Sequence, residues 1–167
     1  MDGSLAIVGY MGSGKSTLGR LLARALCLEF VDLDRAVVKK AGKGIPEIFA
    51  EQGEKHFRDL EHEALRDALR GKSPTVVACG GGVVVSPENR YLLCDVTTVF
   101  LREDTGVLYA RTRGTGRPLR ATSREEFDRR YTERLPFYRG VADMEVEVGG
   151  REPSEVAQEV LGWLSRR

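Results

Sequence analysis

The chain has 167 residues, 31% of them charged and 41% hydrophobic, with a formal net charge of +1 and a sequence pI near 7.7. That length suits a single domain over residues 1–167 and is too short for two independent cores. A net charge near zero gives no electrostatic case for DNA or a membrane surface, and no apolar run approaches bilayer-spanning length. Cys27, Cys79 and Cys94 are an odd number with no C-x-x-C spacing, so neither a disulfide framework nor a zinc site is suggested. The first expected strand begins at Leu5, which leaves no room for a signal peptide before it, and the cytoplasm is the expected compartment.

Leu5-Ala6-Ile7-Val8 is continuous and apolar, as expected of a strand buried on both faces of a parallel sheet. Directly after it, Gly9-Tyr10-Met11-Gly12-Ser13-Gly14-Lys15-Ser16-Thr17 fits the G-x-x-x-x-G-K-[ST] phosphate-binding loop in full. Its glycines let successive backbone N–H groups turn inward around phosphate oxygens, and a helix starting near Lys15 points its positive end at the same anion. Lys15, expected as a solvent-facing charge, should reach the β- and γ-phosphates, and Ser16 should ligate Mg²⁺. Leu18, Leu21, Leu22, Ala25 and Leu26 give that helix an apolar face.

Glu29 to Asp34 predicts a short strand ending in two acids, Asp32 and Asp34. Ligands of α/β sheets gather outside the carboxyl ends of strands, which places both acids on the rim with the phosphate loop. The plainer role is to cap the helix expected near Arg35. Ile45 to Leu69 predicts a long helix whose apolar stripe breaks around Gly53. On it Arg58 and Glu61, three apart, share a face; alone they read as a surface ion pair worth less than about 1 kcal/mol. His56 and His62 have no metal-ligand spacing and read as ordinary helix residues.

Thr75 to Cys79 predicts a third buried strand running into Gly80-Gly81-Gly82, where bare backbone offers N–H donors to a ligand; a flexible turn is the bland alternative. Ser86-Pro87-Glu88 opens a short helix with Pro87 at its first position, Thr97 to Leu101 predicts a fourth strand, and a helix follows from Thr105 to Arg111. Arg113-Gly114-Thr115-Gly116-Arg117-Pro118-Leu119-Arg120 is basic, glycine-rich and too poor in apolar residues for a core. An arginine-bearing loop opposite a phosphate loop suits a closing lid, about residues 112–123, and an ordinary exposed loop fits equally. From Arg111 to Arg139 nine arginines face four acids, which suits an anionic small ligand or a solvated helix face. Ser123, with Glu126 three residues on, predicts the capped start of a helix reaching Tyr138. Met144 to Val148 alternates like an edge strand, and a last helix after Pro153-Ser154 turns Val156, Val160, Leu161 and Leu164 inward.

Five strands alternating with helices, a phosphate loop after the first strand and a lid after the fourth suggest a P-loop fold like that of nucleoside-monophosphate kinases. In their order and spacing, Gly9 to Thr17 with Gly19, Asp32-Leu33-Asp34, Gly53-Glu54 with Phe57-Arg58 and Glu61, Gly80-Gly81-Gly82, Arg117-Pro118-Leu119, and Arg134 with Pro136 and Tyr138 resemble the shikimate kinase family. The resemblance implies a three-layer α/β P-loop kinase fold with a five-stranded parallel sheet of order 2-3-1-4-5, in which the segment about 33–61 binds the acceptor. It implies transfer of the γ-phosphoryl group of ATP to the 3-hydroxyl of shikimate by a monomer, with Mg²⁺ as cofactor and no nucleic-acid or membrane partner. By position, Gly12, Ser13, Gly14, Lys15, Ser16 and Thr17 would hold the phosphates, Ser16 and Asp32 the metal, the latter through water, and Asp34 the reacting end of shikimate. Arg58 and Arg134 would clamp its carboxylate, Glu61 would hold Arg58, and the glycine triplet would face the ring. Arg117 would be the lid arginine, and Arg111 would stack on adenine. Arg120 stands where the family commonly has leucine, and the lid is short.

Two other readings compete. A related small-molecule kinase, such as one acting on gluconate, would keep the phosphate loop and lid without requiring Asp34, Arg58, the glycines and Arg134 together. A non-catalytic nucleotide-binding homologue would be expected to have lost Lys15, Asp34 or Arg117, and all three are present. A nucleic-acid binder built on the arginine cluster is disfavoured by few interleaved aromatics.

Overall fold

A computed structural model describes residues 3–112 and 123–167. The expected lid, with Arg117 and Arg120, falls outside the described residues except at its two ends.

Five parallel strands, β1 (Leu5–Gly9), β2 (Glu29–Asp32), β3 (Thr75–Ala78), β4 (Thr97–Arg102) and β5 (Met144–Glu147), form one sheet of order β2-β3-β1-β4-β5. This is the order the family resemblance implied. β1 lies at the centre, with Ala6 beside Val77 of β3 and Thr98 of β4. All five of its residues are buried, which is why it reads as an unbroken apolar run.

The period of two along β1 divides the core. Leu5 and Ile7 face Leu18 and Leu22 of α1 (Lys15–Leu26) and Val156 and Val160 of α7 (Pro153–Leu164). Ala6 and Val8 face the other layer, built from α2 (Leu33–Ala41), α3 (Ile45–Leu69), α4 (Pro87–Cys94), α5 (Thr105–Thr112) and α6 (Arg124–Val141). Helices on both faces of a parallel sheet make three layers. α1 approaches the sheet so closely that a Cβ on Gly19 would lie 2.5 Å from the Phe30 ring, so the glycine of the sequence pattern sets a packing distance.

Several boundaries differ from expectation. β2 ends at Asp32, and Asp34 lies in the first turn of α2. A 3₁₀ turn, Val83–Val85, follows the glycine triplet before α4. α7 begins at Pro153 itself, with the Glu155 carboxylate accepting from the Glu152 N–H in place of a serine cap. The long helix α3 is interrupted where expected, at Gly53, with φ 78° and ψ 174°. Among the described residues, no helix is long and apolar enough to cross a membrane.

Candidate active site

The carboxyl ends of β1, β2 and β3 converge on the phosphate loop. Gly14, at φ 91°, takes a left-handed turn that side chains resist and delivers the chain into α1. Lys15 corrects one expectation: it is 9% exposed rather than solvent-facing, and Nζ donates to the Gly9 and Tyr10 carbonyls at 2.8 and 2.9 Å. Ser16 Oγ donates to Asp32 Oδ2 at 2.8 Å, and Asp32 Oδ1 accepts from the Arg35 N–H at 3.4 Å. Asp32 therefore does both things the sequence offered, capping α2 and meeting the phosphate loop. Gly14, Lys15, Ser16 and Asp32, with Gly12, Asp34 and Gly80, line a polar cavity of about 250 Å³.

Next to it is a second cavity of about 180 Å³, lined by Asp34, Arg58, Glu61, Arg134 and the three glycines over an apolar wall of Met11, Ile45 and Phe57. Asp34, Gly80 and Gly81 line both cavities. Each glycine of the triplet leaves room for a particular neighbour. A Cβ on Gly80 would lie 2.9 Å from Asp34 Oδ1 and 3.0 Å from Glu61 Oε1. On Gly81 it would press against the Met11 backbone nitrogen, and on Gly82 it would lie 2.7 Å from Arg58 Nη2.

Arg58 Nη1 donates to Glu61 Oε2 at 2.8 Å and Nη2 to Glu54 Oε1 at 3.1 Å. The surface-pair reading of Arg58 and Glu61 fails, because Glu61 is 1% exposed. Burial pushes the Glu61 carboxyl above its ordinary value and the nearby Asp34 charge adds to this, while Arg58 pulls the other way without cancelling it. Burial likewise opposes the charge of Arg58, yet the attraction of Glu61 and Glu54 carries it upward. The less exposed partner of the pair carries the net desolvation burden.

Arg134, one turn before Tyr138 on α6, donates from Nη1 to the Gly81 carbonyl at 3.3 Å and packs over the Tyr10 ring at 5.5 Å. The buried Tyr138 hydroxyl donates to the same carbonyl, and its ring stacks on Phe100 of β4. Gly81 is thereby fixed from the helix that carries Arg134.

A third cavity, of about 200 Å³, opens on the other side of the phosphate loop between Ser13, Gly14, Thr17 and Leu18 and a wall of Arg111, Val148, Arg151 and Pro153. Arg111 Nη1 donates to the Gly12 carbonyl at 3.3 Å.

Residues 11–165 match the family model described as shikimate kinase. A shikimate kinase of Dictyoglomus turgidum is 37% identical over 169 residues, covering 98% of each chain. The chain belongs to the shikimate kinase family. Among solved structures, a shikimate kinase from Acinetobacter baumannii in complex with shikimate superimposes with a TM-score of 0.91 at 33% identity, covering 98% of this chain and 93% of its own. A gluconokinase from Sinorhizobium meliloti has a TM-score of 0.69 at 23% identity over 99% of this chain and 93% of its own, a likeness of fold alone.

Every sequence-predicted site residue of this shikimate kinase family member that lies in the described part falls on one of the three cavities or touches a residue that does. Residues the sequence did not single out also line them. Met11 and Phe57 floor the second cavity, although both stood inside quoted motifs. Arg151 and Pro153 face Arg111 in the third; Pro153 signalled only a helix start, and nothing local tied that helix to the phosphate loop. Among the described residues no group of three or more His, Cys, Asp or Glu could hold a metal. The Ser16–Asp32 pair beside the polar cavity instead fits Mg²⁺, which takes one or two protein oxygens and completes its shell with phosphate and water.

Proposed function

We propose that this chain, acting as a single monomeric kinase unit over residues 1–167, transfers the γ-phosphoryl group of ATP to the 3-hydroxyl of shikimate in the cytoplasm, with no nucleic-acid or membrane partner. The observation that carries the reading is the position of Asp34. It lines both the polar cavity of the phosphate loop and the cavity of the two arginines, so an acceptor held in the second presents an oxygen to a phosphate held in the first.

Binding is divided among the cavities. Backbone N–H groups of Gly12 to Thr17 and the positive end of α1 cradle the phosphates. Lys15 exchanges its loop carbonyls for phosphate oxygens, and the adenine base rests on Arg111 in the third cavity. Arg58 and Arg134 meet the acceptor's carboxylate as planar donors, which suits bidentate binding better than a lysine ammonium. Glu61 holds Arg58, and Gly80, Gly81 and Gly82 leave the ring room to lie against backbone.

Phosphoryl transfer mainly needs alignment and neutralisation of charge on the transferring group. Asp34 orients the acceptor hydroxyl and accepts its proton as the hydroxyl oxygen bonds the γ-phosphorus and the bond from that phosphorus to the bridging oxygen breaks, ADP leaving with that oxygen. Lys15 and Arg117 neutralise the transferring phosphate, Arg117 from outside the described residues. Ser16 directly, and Asp32 through water, would hold Mg²⁺, which when bound would offset the negative charge of the phosphates.

A coupled ADP-release assay with shikimate, gluconate or no acceptor tests the proposal. Turnover dependent on shikimate supports it. Equal or greater turnover with gluconate transfers the reading to a related small-molecule kinase, and no turnover with either supports a non-catalytic nucleotide binder.

A further inference from the structure

Lys15, Glu61 and Glu103 are the buried charged side chains among the described residues. The first belongs to the phosphate loop and the second to the acceptor cavity, whereas the reaction described above gives Glu103 no part. It follows directly on β4, with its side chain 2% exposed.

Its two oxygens meet different neighbours. Oε1 accepts from the Asp104 N–H at 2.9 Å. Oε2 lies 3.3 Å from Arg111 Nη2 as an ion pair, and because that approach is not aligned as a hydrogen bond, the oxygen's bonding capacity is otherwise unmet. A buried carboxylate oxygen without a hydrogen-bond donor is costly, so its ionic partner among the described residues is held firmly. The guanidinium of Arg111 is consequently anchored at two points, Glu103 on one nitrogen and the Gly12 carbonyl on the other. Glu103 also reaches the opposite wall of the third cavity: a Cβ on Gly149 would lie 2.8 Å from Oε1, so the carboxylate rests against the turn that leads to Arg151 and Pro153.

We propose that Glu103 is a positioning residue for nucleotide binding, holding the Arg111 guanidinium as one wall of the base-binding cleft. The inference rests on the assignment of the third cavity to the nucleotide base. Arg111 is about half exposed and long, and left alone it would sample many rotamers or follow the phosphates. A planar guanidinium supports a purine best when its plane is set before the base arrives, because the ordering cost then falls on folding rather than on binding.

The test compares ADP with inorganic tripolyphosphate, which fills the phosphate loop but has no base. Calorimetric Kd values for both are measured on the wild type, Glu103→Gln, Arg111→Ala and the double variant. Glu103→Gln is expected to weaken ADP roughly 2- to 12-fold, the cost of ordering one long side chain at binding, and to leave tripolyphosphate within about twofold. The double variant should bind ADP no more weakly than Arg111→Ala, since one residue acts through the other. Parallel weakening of both ligands in Glu103→Gln would show that Glu103 merely supports the loop, and overturns the proposal. So does unchanged ADP binding in Glu103→Gln when Arg111→Ala weakens it. If Arg111→Ala itself leaves ADP unchanged, the base assignment falls and the proposal with it. Glu103→Met, of similar volume and without a buried acceptor, enters the same assay should the glutamine variant fail to fold.

Discussion

Arg58 and Glu61 meet at 2.8 Å with side-chain exposures of 14% and 2%, so the arginine facing the acceptor cavity is anchored by a carboxylate more deeply buried than itself. A buried acid beside a partly buried arginine is costly as a stability device but well suited to holding a fork in one plane. Glu61→Gln should raise the KM for shikimate severalfold while the KM for ATP barely moves, since the Arg58 fork loses its buried anionic partner and keeps at most a bond to a neutral amide oxygen. Its effect on stability depends on pH. Because burial raises the Glu61 carboxyl in the folded state, the folded chain holds that proton more tightly than the unfolded chain does. The group's contribution is therefore complete below its ordinary value of 4.5 and is lost as pH rises through the raised value. Melting temperatures of the two proteins, measured from acid to neutral pH, should show the wild type losing ground to Glu61→Gln as pH increases. A constant gap across that range would contradict the direction.

Gly82 offers a cleaner probe of the same arginine. Its backbone lies at φ −106°, which alanine adopts readily, and the three atoms nearest an added Cβ all belong to the far end of the Arg58 side chain. Gly82→Ala should therefore keep its melting temperature within a few degrees while displacing the guanidinium and raising the KM for shikimate. A normal KM in a folded variant would mean that the acceptor's carboxylate is bound without Arg58.

Lys15 has a structural role in the loop beside the part in phosphate transfer proposed for it. Its ammonium satisfies two buried-loop carbonyls, Gly9 and Tyr10. Lys15→Ala should abolish measurable turnover and also cost about 1–3 kcal/mol for carbonyls left unpaired. That corresponds to a fall of roughly 2–12 °C in Tm at this chain length. Far-UV circular dichroism should stay native at 25 °C. Retained turnover would remove Lys15 from phosphate transfer, and an unchanged Tm would show that water replaces the ammonium at no cost.

What the sequence made legible was whatever depends on local spacing. The phosphate loop, the apolar run of β1, the break at Gly53 and the Ser123 cap each lie within a few residues, and the structure has them in place. Burial of a charge was not legible. The three-residue spacing of Arg58 and Glu61 fixes a shared face but not what packs over it, and that depends on Gly80 and Gly82, some twenty residues away in sequence. Nothing in the sequence sets Glu103 apart from any other acid after a strand. The wall of Arg151 and Pro153 was hidden because only the sheet order brings the α7 start beside the phosphate loop.

The three thiols should separate by environment. Cys27 and Cys94 are exposed, whereas Cys79, at the end of β3 in the wall of the polar cavity, is 2% exposed and burial pushes its thiol up to about 12. The thiolate is the reactive form, so Cys79 should be inert at neutral pH. Titration with a chromogenic disulfide reagent should find two thiols in the native protein and three in denaturant. A third native equivalent reacting at a comparable rate would place Cys79 in solvent.

Asp32 and Asp34, two residues apart, have different tasks, and one mutant separates them. Asp32 caps α2 through the Arg35 N–H, so the geometry overturns the alternative in which Asp34 serves only as that cap. Asp34 stands in the first turn of α2 beside Gly80, in the wall shared by the phosphate and acceptor cavities. A loose transition state makes deprotonation of the acceptor hydroxyl late, so orientation matters at least as much as basicity. Asp34→Asn keeps an acceptor oxygen but cannot take the proton, and kcat should fall by roughly 10² or more, the range for one positioned acid or base. The shikimate Kd, measured without turnover, should weaken less than kcat falls. Stability should change little: the helix start loses a favourable charge of about 0.3–1 kcal/mol, while the buried Glu61 carboxylate loses a repulsive neighbour. Near-normal kcat and Kd in a protein with native Tm would remove Asp34 from the reaction, and a collapse of Tm with proportionate loss of both constants would make it a structural residue.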